Sequence, residues 1–271
     1  MIEEPYRWVE AIANRREYIE TQLGAGSPIA AVGYRDGILF LTVGRARQKI
    51  FEIYDRIAMG AIGHPGDIER LRMAAIELAS TEGFARSAAD VSLRRLAHYS
   101  LSPVMKSAFE QVYGPPFLAR LLFAEIGTSA GEDLFLRVDY DGTIAANGNS
   151  PAQARQGFAV LGGTGTSAEL MESFLKKEHA SDAPFETAIR VALDAWSVGR
   201  MAIGENGIKE LPEHAAIDKH RKEQLADSGI EAAILERKSK SKSKSKSKSK
   251  SKGAIRYRTL MPEEVQSSVR V

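Results

Sequence analysis

Apolar residues recur at helical spacing near the start of the chain and then cluster in short segments bounded by turn residues. Residues 5–23 predict a helix that stops at Gly24 and carries one apolar stripe, which consists of Val9, Ile12, Ala13, Ile19 and Leu23. Four short apolar segments follow, at about 28–34, 37–43, 48–54 and 57–63. Because short turns join them, we expect these four strands to pair antiparallel.

Two helical patterns come next. Residues 65–84 place four apolar residues on one face, namely Ile68, Leu71, Ala75 and Leu78. Residues 88–113 predict a longer helix that bends near Pro103, and its buried face consists of Leu93, Ala97, Leu101, Val104, Ala108 and Val112. Two helices would then cover one sheet.

The second half of the chain repeats this order. Strand patterns lie at 117–127, 134–142 and near 157–162, helical patterns at about 167–178 and 183–199, and two closing strands at 230–237 and 254–260. Strands and helix pairs in this order predict an α+β fold with four layers, αββα, in which two antiparallel sheets pack face to face between helix pairs.

Composition excludes several classes of protein. The chain has 271 residues, 44% of them apolar, which suits a folded globular core. It contains no cysteine, so disulfides, thiolate zinc sites and cysteine nucleophiles are excluded. No membrane span or signal peptide is apparent, and we expect a cytoplasmic protein with no membrane partner. The five histidines lack metal-ligand spacing, and neither a metal nor another cofactor is expected.

The net charge of +2 depends on one segment, the Lys-Ser run at residues 238–252. Without its eight lysines the chain has 29 basic and 35 acidic residues, a balance of −6. The rest of the chain is therefore mildly acidic, and a nucleic-acid partner is not expected.

Several segments, in this order, resemble the proteasome family and, within it, the alpha-type subunits of bacteria. They are "RQKIFEIYDRIAMGAIGHPGDIERLRMAAIELA", "FARSAADVSLRRLAHYS", "PPFLARLLFAEIG" and "LFLRVDYDGTIAANG". The resemblance runs from about residue 5 to residue 265. It implies the αββα sandwich of N-terminal-nucleophile hydrolases, with one domain over residues 8–271. The alpha type carries an extra helix before the first strand, which residues 8–23 resemble.

The resemblance implies a non-catalytic subunit of the 20S proteasome core. Identical copies would form a seven-membered outer ring on a ring of beta-type subunits and would gate the entry of unfolded protein substrates. A ring ATPase or another activator would dock its carboxyl-terminal tails, and Lys49 and Gly63 match the family columns of that docking pocket. Physically, a lysine can bind a peptide carboxylate with help from nearby backbone amides. The gate would be residues 1–7, namely Met1, Ile2, Glu3, Glu4, Pro5, Tyr6 and Arg7.

Two alternatives remain open. In the first, cleavage after Gly26 frees Ser27 as an amino-terminal nucleophile, because Ser27 occupies the position of the catalytic threonine of beta-type members. Against it, Pro28 follows directly, Val43 stands where the acidic partner is expected, and "SVGRMAIG" replaces the later Asp-x-x-Ser-Gly-Gly turn. In the second alternative, the chain is a homologue that forms rings without beta-type partners.

The Lys-Ser run is predicted to be a loop, since a strand would stack its lysines on one face and a helix would suffer their repulsion. The segment "AIRYRTLMPEEV" after it matches the family's last strand, so the resemblance makes the run an insertion in the last hairpin. It is interpreted as a tolerated repeat expansion. The alternative is an electrostatic tether for nucleic acid, an acidic partner or an anionic membrane.

Overall fold

The computed structural model describes residues 5–44, 47–111, 113–146, 157–237 and 256–269. The predicted first helix is present as α1 (Pro5–Gly24). The four predicted strands follow as β1 (Ile29–Tyr34), β2 (Gly37–Gly44), β3 (Ile50–Tyr54) and β4 (Ile57–Gly63). Helix α2 (Pro65–Ala85) comes next, and His64 caps it by accepting a hydrogen bond from the Gly66 amide.

The remaining elements keep the predicted order. They are α3 (Leu93–Arg95), α4 (Ser102–Glu110), β5 (Ala119–Glu125), β6 (Leu134–Val138), β7 (Ile144–Ala146), β8 (Phe158–Leu161), α5 (Gly165–Glu178), α6 (Phe185–Met201), α7 (His214–Asp227), β9 (Gly229–Glu236), β10 (Tyr257–Thr259) and α8 (Pro262–Val269). Among the described residues, no helix combines the length and apolar character needed to cross a bilayer.

The strands form two five-stranded sheets, with the orders β10-β9-β2-β1-β8 and β3-β4-β5-β6-β7. All the neighbouring strands pair antiparallel. Strand β2 is buried on both faces over residues 37–43, which explains the apolar run at 38–41. Its Leu39 and Leu41 pack with α5 and α6, whereas Ile38 and Phe40 face the second sheet.

Three apolar layers fill the fold. One lies between the sheets, one under α5 and α6, and one under α2 and α4. This arrangement confirms the predicted four-layer αββα sandwich. A smaller cluster, formed by Ile19, Leu23, Phe109 and Tyr140, holds α1 against the body.

The prediction of one continuous helix over residues 88–113 is wrong. A π turn, Leu96–Leu101, separates α3 from α4, and the Ser102 amide donates to the carbonyl of Ala97, five residues earlier. Pro103 lacks an amide hydrogen, and the wider turn precedes it. The π turn contains one residue more than an α-helical turn and moves the buried stripe of the helix by one position. Helix α4 therefore buries Met105 and Phe109.

This shift leaves Val104 52% exposed, against the prediction that it is buried. Leu78, also predicted to be buried, is 43% exposed, because the buried stripe of α2 consists of Ile68, Leu71, Ala75 and Ala79. Val112 lies outside the described residues.

Three of these elements were not predicted. Strand β7 is three residues long, and helix α8 follows the last predicted strand. Helix α7 lies in a charged stretch, and Ile217 is its only buried residue. A helix with one buried apolar residue has no stripe that a sequence pattern could detect.

The last hairpin joins β9 and β10, with Leu235 opposite Tyr257. The Glu236 amide donates to the carbonyl oxygen of Arg256 at 2.8 Å. The Lys-Ser run, 238–252, falls between these two strands in the sequence and outside the described residues.

Candidate functional site

Ser27 lies in the short connection between α1 and β1, and its hydroxyl group is engaged on both sides. Its Oγ donates to the carbonyl oxygen of Val43 at 2.6 Å and accepts from Nε1 of Trp196 at 3.0 Å. Oγ of Thr42 lies 3.4 Å away as a third neighbour. The hydroxyl group therefore acts as a structural bridge between β2, α6 and the start of β1.

Val43 occupies the position where a catalytic carboxylate is expected, and it is 2% exposed within an apolar layer. An ionised side chain here would lose its hydration without a designed partner. Val43 therefore supplies no carboxylate that could orient a free terminal amine and a lysine.

Glu231, which the sequence analysis did not single out, supplies a carboxylate close by. It extends from β9, where it pairs with Thr42 of β2. Its Oε1 accepts hydrogen bonds from the amides of Lys49 at 2.9 Å and Ile50 at 2.8 Å. Burial raises the pKa of Glu231, and these amide bonds oppose that shift. The side chain thus fastens the entry of β3, in one sheet, to β9, in the other.

One pattern could have identified Glu231. It is an isolated carboxylate in the otherwise apolar segment "IEAAIL", and a charge inside a buried strand generally has a specific partner. The identity of that partner depends on contact between residues 182 apart, which no local pattern reveals.

Lys49 immediately precedes β3. Its Nζ lies 3.4 Å from the carbonyl oxygen of Ser27, not from the Ser27 hydroxyl. Burial lowers the pKa of Lys49, the Glu231 carboxylate opposes that shift, and Arg200 adds to it. Nearby backbone amides were expected to help Lys49 bind a carboxylate. The amides of Lys49 and Ile50 are already hydrogen-bonded to Glu231 and do not serve this purpose.

A cavity of about 470 Å³ opens beside Lys49. Its walls come from the end of β2, the residues before β3, and strands β9 and β10; they include Arg47, Gln48, Glu231 and Tyr257. A partly buried ammonium group in a cavity of this kind can bind an anion more strongly than an exposed lysine can, because water competes less well there.

Gly63 ends β4 and has a φ of +142°, a backbone conformation that favours glycine. A Cβ atom at this position would collide with the carbonyl oxygen of Leu118. Gly63 shares an end of the sheet with Lys49, since the Ala61 amide donates to the Lys49 carbonyl at 2.9 Å. The cavity beside Lys49 is lined by other residues of the described chain, not by Gly63.

Of the predicted gate, Met1, Ile2, Glu3 and Glu4 lie outside the described residues. Pro5, Tyr6 and Arg7 form the first turn of α1, and Arg7 is exposed. Trp8 and Val9, directly after them, are 48% and 66% exposed. The amino end of α1 therefore extends away from the apolar cluster that holds its other end.

The described residues contain no cluster of three or more histidine, cysteine, aspartate or glutamate side chains that could hold a metal ion.

Comparison with known proteins gives one consistent result. The sequence profile described as "Proteasome subunit" matches residues 26–201. A protein named "Proteasome subunit alpha" from Nocardioides sp. is 34% identical over 186 residues, which cover 68% of each chain. Proteins of the same name from Parafrankia sp. and Actinosynnema mirum are 30% and 31% identical, over 80% and 84% of this chain and 87% and 77% of their own.

Proposed function

This chain belongs to the proteasome subunit family, with bacterial alpha-type subunits among its relatives, and we propose that it is a non-catalytic subunit that gates a proteolytic particle. Seven identical copies would form the outer ring on a ring of beta-type subunits. Their amino-terminal segments, residues 1–7, would narrow the entrance, so that only unfolded protein chains reach the peptidase sites inside. We expect this degradation to take place in the cytoplasm.

The hydrogen bonds of Ser27 are the observation that carries the non-catalytic assignment. A nucleophilic hydroxyl group needs a base within reach and freedom to attack. The Ser27 hydroxyl group instead donates to a backbone carbonyl and accepts from an indole, and Nζ of Lys49 contacts the Ser27 carbonyl oxygen. Val43 adds no carboxylate. These contacts support a structural role for the residue that would otherwise be the nucleophile.

The cavity beside Lys49 supports the proposed docking of an activator tail. Lys49 and Arg47 belong to its wall, and Arg200 is close enough to influence the Lys49 ammonium group. Glu231 is the opposing charge, and two backbone amides already bind its carboxylate. Cations therefore outnumber the carboxylate, which favours an anionic ligand such as the carboxyl terminus of a ring ATPase or another activator.

Native mass spectrometry with subunit ejection tests the assignment. The protein would be co-expressed with a beta-type subunit of its own genome, and the intact particle and its ejected subunits would be weighed. We expect a mixed particle that contains this chain with the residues before Ser27 still attached. A chain shortened to begin at Ser27 would instead make it a self-processing peptidase. Rings of this chain alone, with no affinity for the beta-type subunit, would indicate a ring-forming homologue.

A further inference from the structure

Lys49 differs from the other lysines that the structure describes, because it is half-buried. The other described lysines are all exposed, namely Lys106, Lys176, Lys177, Lys209, Lys219 and Lys222. Within the described residues, Nζ of Lys49 makes one hydrogen bond, to the carbonyl oxygen of Ser27 at 3.4 Å. A hydrogen bond of that length is weak, so it does little to keep the nitrogen from a ligand.

The surroundings of Lys49 favour its neutral form. Burial lowers the pKa of Lys49, and Arg200 adds to this shift, while the Glu231 carboxylate opposes it without reversing it. At a given pH, a larger share of Lys49 is therefore neutral than of an unperturbed lysine. The neutral amine is the nucleophile, because the ammonium ion has no lone pair to donate. Lys49 is thus prepared to react with an electrophile that enters its cavity.

Several polar groups on the wall of that cavity are bound to one another. Glu231 accepts hydrogen bonds from the amides of Lys49 and Ile50. The Ile50 carbonyl oxygen accepts one from the hydroxyl group of Tyr257 at 3.2 Å. Arg47, on the same wall, is exposed and makes no hydrogen bond or ion pair with another described residue. The guanidinium group of Arg47 and the nitrogen of Lys49 therefore remain for a ligand.

The cavity suits a small anion with a reactive carbonyl group. Its volume of about 470 Å³ lies within the roughly 300–1,000 Å³ of pockets that hold small molecules. A guanidinium group binds the oxygens of a phosphate through paired N–H donors. An acyl phosphate carries such a phosphate, together with an electrophilic acyl carbon on the neighbouring oxygen atom. Arg47 would bind the phosphate and leave the acyl carbon to the amine of Lys49.

We propose that Lys49 is a site of covalent modification, which small acyl phosphates acylate after binding beside Arg47. The lone pair of Nζ attacks the acyl carbon and forms an amide bond. The bond between that carbon and the phosphate oxygen breaks, and one proton of the amine leaves with the phosphate as hydrogen phosphate. The product is a neutral amide, so the modified Lys49 carries no ammonium group.

The consequence of this modification rests on the proposed function. If an activator tail binds the ammonium group of Lys49, an acylated Lys49 no longer attracts the carboxylate of that tail. Acylation would then reduce activator-stimulated degradation to the rate without activator. The chemical step itself does not depend on docking, so the two are tested separately.

The first test treats particles assembled with beta-type subunits with acetyl phosphate or with N-acetoxysuccinimide, a neutral acetyl donor. Quantitative mass spectrometry of peptides follows acetylation of Lys49 and of Lys106, which is 63% exposed. With acetyl phosphate we expect Lys49 to react at least about threefold faster than Lys106, because its neutral fraction is larger and the donor is attracted by charge. With the neutral donor this ratio of rates should be smaller, since Arg47 does not attract that molecule.

Arg47→Ala tests the binding step. It should lower the ratio of Lys49 to Lys106 acetylation by acetyl phosphate to the value for the neutral donor, and leave the latter value unchanged. Arg94→Ala, at an exposed arginine on α3, is the matched control and should change neither ratio. The proposal is overturned if Lys49 reacts no faster than Lys106 with acetyl phosphate, or if the two donors give equal ratios.

The second test links the modification to function. Particles are acetylated to the same total extent with each donor, and degradation of a protein substrate is measured with and without the activator. We expect stimulation to fall in proportion to the acetylated fraction of Lys49, and therefore further with acetyl phosphate. Selective acetylation of Lys49 with full stimulation would uphold the modification site and refute the docking role of Lys49. A Lys49 that resists acetylation would overturn the modification site, whatever the docking role.

Discussion

The indole nitrogen of Trp196 lies 3.0 Å from the hydroxyl oxygen of Ser27, although the two residues are 169 positions apart in the chain. Trp196 belongs to the outer helical layer and is 2% exposed, whereas Ser27 leads into a central strand. Because the indole nitrogen can only donate, it requires an acceptor when buried. Ser27 meets that requirement, and its hydroxyl group in turn donates a hydrogen bond to the carbonyl oxygen of Val43.

Ser27→Ala should therefore destabilise the protein without affecting proteolysis. The free energy of unfolding is expected to fall by about 1–3 kcal/mol, because the buried indole donor loses its acceptor. Denaturant titration measures this loss, and the exposed Ser80→Ala is a control that should stay within about 0.5 kcal/mol of the unmodified protein. In an assembled particle, loss of peptide hydrolysis with Ser27→Ala would contradict the non-catalytic assignment.

Lys49→Ala should abolish activator-stimulated degradation of a protein substrate and leave hydrolysis of short peptides intact. The substitution removes the ammonium group from the cavity and leaves the hydrogen bonds of the Ser27 hydroxyl group in place. Parallel assays with a protein and a short peptide, with and without the activator, separate the two effects.

Lys106→Ala, at a side chain 63% exposed on α4, is the matched control and should preserve both activities. If Lys49→Ala removed both activities, or neither, the docking role of Lys49 would be excluded.

Glu231→Gln should change how stability depends on pH. Because burial raises the pKa of Glu231 in the folded state, its protonated form favours folding. The contribution of Glu231 to stability is complete below its ordinary pKa of 4.5 and is lost as the pH rises through the raised, folded-state pKa. The stability advantage of the unmodified protein over the glutamine variant should therefore shrink with rising pH across that window.

Denaturant titrations at a series of pH values measure this difference, with the exposed Glu77→Gln as the control. An advantage that grows with pH would show that the two amide bonds outweigh burial and that the folded-state pKa of Glu231 is lowered.

Arg237→Met and Arg258→Met compare a buried with an exposed ion pair. Arg237 binds both oxygens of Asp133 at 2.8 Å, and the Asp133 side chain is 2% exposed. Nη1 of Arg258 alone donates to both oxygens of Glu264 at 2.8 Å, and both side chains are more than 40% exposed.

Loss of Arg237 leaves a carboxylate buried without its cation, which typically costs about 3–5 kcal/mol. Loss of Arg258 should cost less than about 1 kcal/mol. Thermal unfolding of the two variants measures both losses of stability. Equal losses would mean that burial of Asp133 does not set the strength of its ion pair with Arg237.

Periodicity predicted much of the fold. The apolar run at 38–41 in β2 follows from burial on both faces, and the stripe that includes Ile19 and Leu23 follows from contact of α1 with one cluster. The π turn before Pro103 was missed, because a helical pattern assumes a constant number of residues per turn. Helix α7 was missed because only Ile217 on it is buried.

Less of the candidate site than of the fold could be predicted from the sequence. Lys49 and Ser27 were singled out by resemblance. The bonds that define their roles join residues far apart in the chain, as in Trp196 to Ser27 and Glu231 to the Lys49 amide. A local pattern carries no information on such pairs, since they depend on how two sheets and a helix meet.

The chain leaves β9 at Glu236 and rejoins the sheet beside it at Arg256, where a backbone hydrogen bond of 2.8 Å closes the hairpin. Because both ends of the insertion are fixed by their own neighbours, each doubling of its length costs only about 0.6 kcal/mol. The number of Lys-Ser units can therefore change while β9 and β10 stay paired as they are, so the fold does not require the present length of the run.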